Sequence, residues 1–254
     1  MRPARLLKLG LLIAAGCATA LYILPARWVM AWIPESSPVM VTDATGTLWS
    51  ARATLAVGAP GLRRTLPDPL QWRLSFAGGP HLELRHPWLR GPLELSPSWR
   101  GIHISGQSLQ LPATALTTAH ALLNALDPGG TVQVEWPAQT LGWGALPTDG
   151  DGRVLTLQWR NASSSLSSIK PFGDYTLLLS RSAGRSLDLS LKTDRGPLML
   201  AGRGTLPRSG RARFDGEAWA DPSAPPGTRA ALRGVLHALG PNIDQQGKTR
   251  LRVR

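Results

Sequence analysis

The chain has 254 residues, one cysteine and a net charge of +12 from 28 basic and 16 acidic side chains. A single cysteine excludes an internal disulfide, and with it a stapled mini-domain or a zinc site built on several cysteines. The charge would suit nucleic acid, anionic lipid or an acidic protein, and most of it comes from arginines dispersed among turns and strand faces.

Residues 9–26 carry no charge and follow directly on Arg2, Arg5 and Lys8. At about 1.5 Å per residue a helix over them covers roughly 27 Å, close to the ~30 Å of a hydrocarbon layer. The basic flank predicts a cytoplasmic N-terminus over residues 1–8, a transmembrane helix over 9–26 and a periplasmic body over 35–254, an inner-membrane location with a single pass. Tyr22, Trp28 and Trp32 then fall at headgroup level, and Arg27 reaches water along its own stem. Two other readings are a secretory signal cut after Ala18-Thr19-Ala20 and a lipoprotein signal at Gly16-Cys17, where Ala14 replaces the usual larger aliphatic. Apolarity continuing through Leu21, Tyr22, Ile23 and Leu24 favours the uncleaved anchor. All three readings export the rest of the chain, which then holds no cysteine, a net charge of +8 and little opportunity to meet nucleic acid.

Beyond the anchor, apolar and polar residues alternate with period two, the pattern of half-buried strands. Thr47, Trp49, Ala51, Ala53, Leu55 and Val57 share one face, with Ser50, Arg52 and Thr54 on the other. Leu70, Trp72, Leu74 and Phe76 repeat the pattern, and shorter runs follow at Leu82/Leu84, Leu93/Leu95, Ile102/Ile104 and Leu109/Leu111. Further runs stand at Val132/Val134/Trp136, Leu155/Leu157/Trp159, Tyr175/Leu177/Leu179, Leu187/Leu189/Leu191, Leu198/Leu200 and Ala212/Phe214. Gly and Pro between them supply turn dihedrals, so an antiparallel meander with one wet face is expected.

Helical spacing interrupts the strands twice. Leu116, Ala119, Leu122, Leu123 and Leu126 share a face between Pro112 and the stop at Asp127-Pro128-Gly129. Ala231, Leu232, Val235, Leu236 and Leu239 do so between Thr228 and Gly240-Pro241. The fold class is therefore all-β, a mainly antiparallel twisted sheet with two short covering helices, behind one N-terminal transmembrane helix.

Catalytic chemistry finds no constellation. His81, His86, His103, His120 and His237 include no His-Glu-x-x-His spacing. Ser163-Ser164-Ser165 lacks the nucleophile elbow, and Gly202-Arg203-Gly204 lacks the helix of a phosphate loop. Asp149 and Asp151 suggest calcium until Arg153 occupies the next ligand position. The expectation is no enzyme, with catalytic, cofactor-binding and metal residues all none and no small-molecule substrate.

Two features remain as interaction sites. Gly46, Thr47, Leu48, Trp49 and Ser50 open the first exported strand, where Trp49 could serve a partner or the core. Lys248, Arg250, Arg252 and Arg254 alternate with Thr249, Leu251 and Val253, a basic strand face for an acidic partner or lipid headgroups, or a charged edge that blocks aggregation.

Gly46-Thr47-Leu48-Trp49-Ser50 resembles the signature of the N protein of type II secretion systems, the general secretion pathway component of bacterial inner membranes. Pro25-Ala26-Arg27-Trp28, Leu111-Pro112, and Pro128-Gly129-Gly130 with Val132-Gln133-Val134-Glu135-Trp136 are similar to that family. So are Gly173-Asp174-Tyr175, Thr193-Asp194-Arg195-Gly196-Pro197-Leu198 and Arg213-Phe214-Asp215-Gly216-Glu217-Ala218. Ala51 stands where the signature usually has Gly, and Arg195 interrupts the common Asp-Gly-Pro-Leu run. The resemblance implies a scaffold in the machine that moves folded proteins across the outer membrane, with other envelope components of that system and the inner membrane as partners. More distantly the chain looks like sheet-rich inner-membrane proteins of the AsmA type, which implies lipid binding or transfer between membranes. That second reading requires a long sheet with an open apolar face lined by Trp49, Trp72, Leu74 and Trp159.

Overall fold

The structure, a computed structural model, describes residues 12–13, 15–17, 19–34, 36–37, 39–58, 63–118, 127–143, 152–165, 167–182, 186–207, 211–240 and 247–253. It divides into two compact units, Met1–His86 and Pro87–Arg254.

In the first unit, residues 12–13, 15–17 and 19–22 are helical, and Leu12, Ile13, Leu21, Tyr22 and Ile23 are exposed. Among the described residues no helix is long and apolar enough to cross a membrane. A 3-10 helix, Ala26–Trp32, leads into an antiparallel meander of β1 (Val39–Thr47), β2 (Ser50–Val57), β4 (Leu70–Ser75) and β5 (His81–Arg85), with the short β3 (Arg64–Thr65) paired to the end of β2. Register explains the two faces. Ala51, Trp72 and Leu84 align across β2, β4 and β5 on the apolar side, while Arg52, Gln71 and Arg85 align on the polar side. The expected strand opening at Thr47 is two strands: a bulge between Val41 and Asp43 breaks the alternation of β1, and the chain turns at Leu48 and Trp49.

The second unit opens with the antiparallel β6 (Leu93–Ser98) and β7 (Gly101–Ile104), followed by β8 (Gln107–Pro112) and β9 (Pro128–Trp136). Next come β10 (Gln139–Gly142), which pairs with β7, and the long strands β11 (Arg153–Ser164), β12 (Gly173–Arg181), β13 (Ser186–Arg195), β14 (Leu198–Pro207) and β15 (Arg213–Ala220). An α-helix, α1 (Pro226–Leu239), and β16 (Thr249–Val253) complete it. Eight strands form one antiparallel sheet in the order β16-β15-β14-β13-β12-β11-β9-β8. The outer edge of β8 is covered in part by residues 88–90, through Gln110 N–H to the Trp88 carbonyl and Arg90 N–H to the Ser108 carbonyl.

One face of this sheet is apolar across its whole width. Leu109, Val134, Leu157, Leu177, Leu191, Gly202 and Gly216 follow one another in register from β8 to β15. The helix α1 seals part of it: Leu232, Val235 and Leu236 are buried with Ala162, Phe172, Tyr175, Leu198 and Ala218, against Trp159, Leu200 and Leu251. Helical spacing in the sequence therefore located this cover. The other expected helix, from Pro112 to Leu126, begins as a 3-10 helix, Ala113–Thr118, and its remainder lies outside the described residues. Thr114, Thr117 and Thr118 favour local side-chain bonds over an α-helix, and Thr117 Oγ1 donates to the Thr114 carbonyl at 2.8 Å. Ala115 and Leu116 still pack on Leu111, Ala113 and Val132, forming a second core cluster.

Candidate interaction site

Gly46 has φ +101°, and a Cβ there would lie 2.5 Å from the Ser50 carbonyl oxygen, so the hairpin from β1 to β2 requires glycine. The turn holds the end of the apolar N-terminal segment. Leu48 N–H donates to the Leu24 carbonyl at 2.8 Å, Thr47 bridges Pro25, and the Trp49 indole Nε1 donates to the Leu21 carbonyl at 3.1 Å. Behind the turn, Trp72 Nε1 donates to the Leu48 carbonyl at 2.9 Å and Leu74 N–H to the Trp49 carbonyl at 2.7 Å. The Trp49 ring lies 5.8 Å from Phe76 at 59°. Trp49 is thus half-buried in a turn and does not share the buried row of Ala51 and Ala53. The five signature residues form a clasp. Ala51 is tolerated because its partner Gly46 has no side chain: a Cβ at Gly46 would come within 3.3 Å of Ala51 Cβ.

The basic C-terminal face forms β16, the terminal strand of the large sheet. Register sets Arg250 opposite Glu217 and Arg252 opposite Asp215, and Lys248 Nζ lies 3.6 Å from Glu217 Oε2 and 5.5 Å from the Trp219 ring centroid. Arg254 lies outside the described residues. Register therefore sets acidic positions of β15 opposite basic positions of β16, and Lys248–Glu217 is the ion contact described there.

A third cluster gathers segments distant in sequence. A bulge in β11 puts Asn161 at φ +50°, and its N–H donates to Asp174 Oδ1 at 2.7 Å. Arg195 NH2 reaches Asp174 Oδ2 at 2.6 Å, and Tyr175 OH donates towards the Leu198 carbonyl at 2.9 Å. The Asn161 N–H, and after it the Arg195 guanidinium against the opposing effect of burial, holds the Asp174 carboxyl below its ordinary value of 3.8. Burial, then the Asp174 charge, pushes the Tyr175 phenol up. Gly130, at φ +96°, packs on the same bulge, where a Cβ would lie 2.5 Å from the Asn161 carbonyl oxygen. The arrangement ties β9, β11, β12 and β13 together at one corner.

A profile of the type II secretion system (T2SS) protein N matches residues 37–252, which takes in both units from before β1 into β16. The chain belongs to that family. No curated protein and no solved structure matches it. Membership gives the chain a role in type II secretion, within the general secretion pathway of protein transport, and implies contact with other components of the system.

For this member of the T2SS protein N family, one surface stands out that alternation in the sequence did not single out. Trp99, in the β6–β7 turn, is 86 % exposed, and Trp143, at the end of β10, is 77 % exposed. The pairing of Gly101 with Gly142 brings them together, with Trp143 Nε1 3.5 Å from the Trp99 carbonyl oxygen and the Arg100 guanidinium 5.1 Å from the Trp99 ring centroid. A signal did exist: both tryptophans fall outside the alternating runs, and Trp143 stands between Gly142 and Gly144.

Three of the described histidines, His81, His86 and His103, have separate contacts. His81 Nδ1 lies 3.0 Å from the Gly79 carbonyl oxygen, His86 Nε2 3.2 Å from that of Asp68, and His103 Nδ1 3.5 Å from Thr140 Oγ1. His237 is exposed in the last turn of α1, and His120 lies outside the described residues, as do Asp149 and Asp151. Among the described residues no group of three or more His, Cys, Asp or Glu is placed to hold a metal.

Proposed function

We propose that this protein is a single-pass inner-membrane component of the type II secretion system that acts as a protein–protein scaffold, with its N-terminus cytoplasmic, its sheets in the periplasm, and neither catalysis nor a cofactor. The uncharged run over residues 9–26 and the exposed Leu12, Ile13, Leu21 and Ile23 support the anchor. The observation that carries the scaffold reading is the exposed Trp99–Arg100–Trp143 patch. Tryptophan and arginine dominate the energetic centres of protein interfaces, and two indoles left this bare on a monomer call for a partner. The acidic register positions of β15 opposite Arg250 and Arg252, with the Lys248–Glu217 contact, make that face a weaker candidate.

The lipid-transfer reading is less well supported. Trp159 packs against the cluster holding Leu232 and Val235, with its Nε1 bonded to the Gly129 carbonyl, and Trp49 and Trp72 spend their indole N–H groups on main-chain carbonyls. Trp72 and Trp159 are structural members of their sheets, and Trp49 of the turn that joins β1 to β2.

The test is a Trp99→Ala/Trp143→Ala chain expressed in place of the wild type. Its amount and melting temperature stay near wild type, since both side chains are exposed, while crosslinked recovery of other secretion components falls by roughly tenfold or more. Secreted protein in the medium falls with it. Undiminished crosslinking from the double variant would remove the patch as the contact surface.

A further inference from the structure

The polar face of the first unit carries a groove of about 430 Å³, lined by Arg52, Arg73 and Arg85 with Glu83, Gln71 and Ser50 among its walls. Strand register builds it in two rows. Thr45, Arg52, Gln71 and Arg85 lie across β1, β2, β4 and β5, and Thr47, Ser50, Arg73 and Glu83 lie beside them. Among the described residues that line the groove, three cations thus meet one carboxylate. That carboxylate is engaged, because Arg85 Nε lies 2.6 Å from Glu83 Oε1. Among the described residues neither Arg52 nor Arg73 has an ion-pair partner. They occupy diagonal positions on neighbouring strands, about 7–8 Å apart, where like charges repel unless an anion lies between them. Two guanidinium forks at that separation fit the oxygens of one phosphate group.

Position selects the source of that phosphate. Arg73 stands opposite Ser50, at the base of the turn that grips Leu21, Leu24 and Pro25, and Arg52 is two residues further along β2, about 7 Å away. The arginines therefore sit just beyond the end of the apolar segment. Tyr22, Trp28 and Trp32 are exposed around the same point, and Phe76 is exposed beside Trp49. Aromatic rings of this kind settle at headgroup depth. We infer that the groove binds the phosphate of an anionic phospholipid headgroup and seats the first unit on the membrane surface. The inference rests on the reading of residues 9–26 as an anchor.

Full-length protein in neutral detergent would be titrated with dihexanoyl phosphatidylglycerol, dihexanoyl phosphatidylcholine and inorganic phosphate, with binding read by calorimetry. Saturable binding is expected for phosphatidylglycerol and much weaker binding for the other two. Arg52→Gln/Arg73→Gln weakens it roughly 25-fold, at about fivefold per cation, and Arg203→Gln in the second unit leaves it unchanged. Glu83→Gln, which removes the one carboxylate and no cation, tightens binding and decides the question if the double variant does not fold. Equal affinity for phosphatidylcholine, inorganic phosphate binding as tightly as the lipid, or indifference to Glu83→Gln would each overturn the assignment. The anchor fails separately, if a carbonate wash releases the full-length chain from membranes whatever the detergent titration shows.

Discussion

Asp174 shows how one carboxylate can hold a corner of a sheet. Its two partners are unequal: the Arg195 side chain is 79 % exposed, so that ion pair contributes about 0–1 kcal/mol, whereas the bond from the Asn161 N–H to an ionised acceptor is worth roughly 1.5–3 kcal/mol. Because folding lowers the Asp174 pKa, its contribution is fully present above the unfolded-state value near 3.8 and fades as pH falls through the lower folded value. Asp174→Asn is expected to destabilise the protein by about 1–2 kcal/mol at pH 7. The deficit shrinks towards pH 3, because the wild type is then losing the same charge. Urea unfolding of both chains at pH 7, 5 and 3 measures it, and a deficit independent of pH would assign the effect to packing alone.

Among the elements, α1 is the one whose role rests on a single stripe. Leu232 and Val235 are almost completely buried on the sheet, while Arg233 on the same helix is exposed. Leu232→Ala should cost about 2–5 kcal/mol, and Arg233→Ala within about 0.5 kcal/mol of nothing, as read from thermal melts. That stripe was legible because a helix repeats every 3.6 residues and its buried positions are all aliphatic. Most strands were legible for the same kind of reason, with period two in place of 3.6. β10 was not, because its buried positions are Gln139 and Thr140. The signature turn was misplaced because Thr47, Leu48 and Trp49 are good strand formers, and only the positive φ of Gly46 makes them a hairpin. The cations of β16 could be read directly, but the carboxylates opposite them depend on register between two strands more than thirty residues apart. The Trp99–Trp143 patch likewise depends on β7 pairing with β10, and the two tryptophans are 44 residues apart.

At the scale of the molecule, the clasp in the first unit and the tryptophan patch in the second answer to different measurements. If residues 9–26 are fixed in a membrane, force on the sheet of the first unit passes through Leu48 to Leu24, Thr47 to Pro25 and Trp49 to Leu21. Trp49→Phe keeps an aromatic ring facing Phe76 and removes one indole hydrogen bond, a loss of about 1 kcal/mol and hence roughly fivefold faster opening of the turn. Trp49→Ala removes the ring as well and opens it further. Hydrogen exchange at the Leu48 and Leu74 amides, whose acceptors are the Leu24 and Trp49 carbonyls, reports that opening directly. The graded order wild type, Phe, Ala is the expected outcome, accompanied by falling secretion at constant membrane-bound protein and unchanged crosslinking through Trp99. Exchange that is unaltered in Trp49→Ala would mean the turn carries no load. Loss of Trp99 crosslinking in the same variant would mean that anchoring and partner contact are a single function.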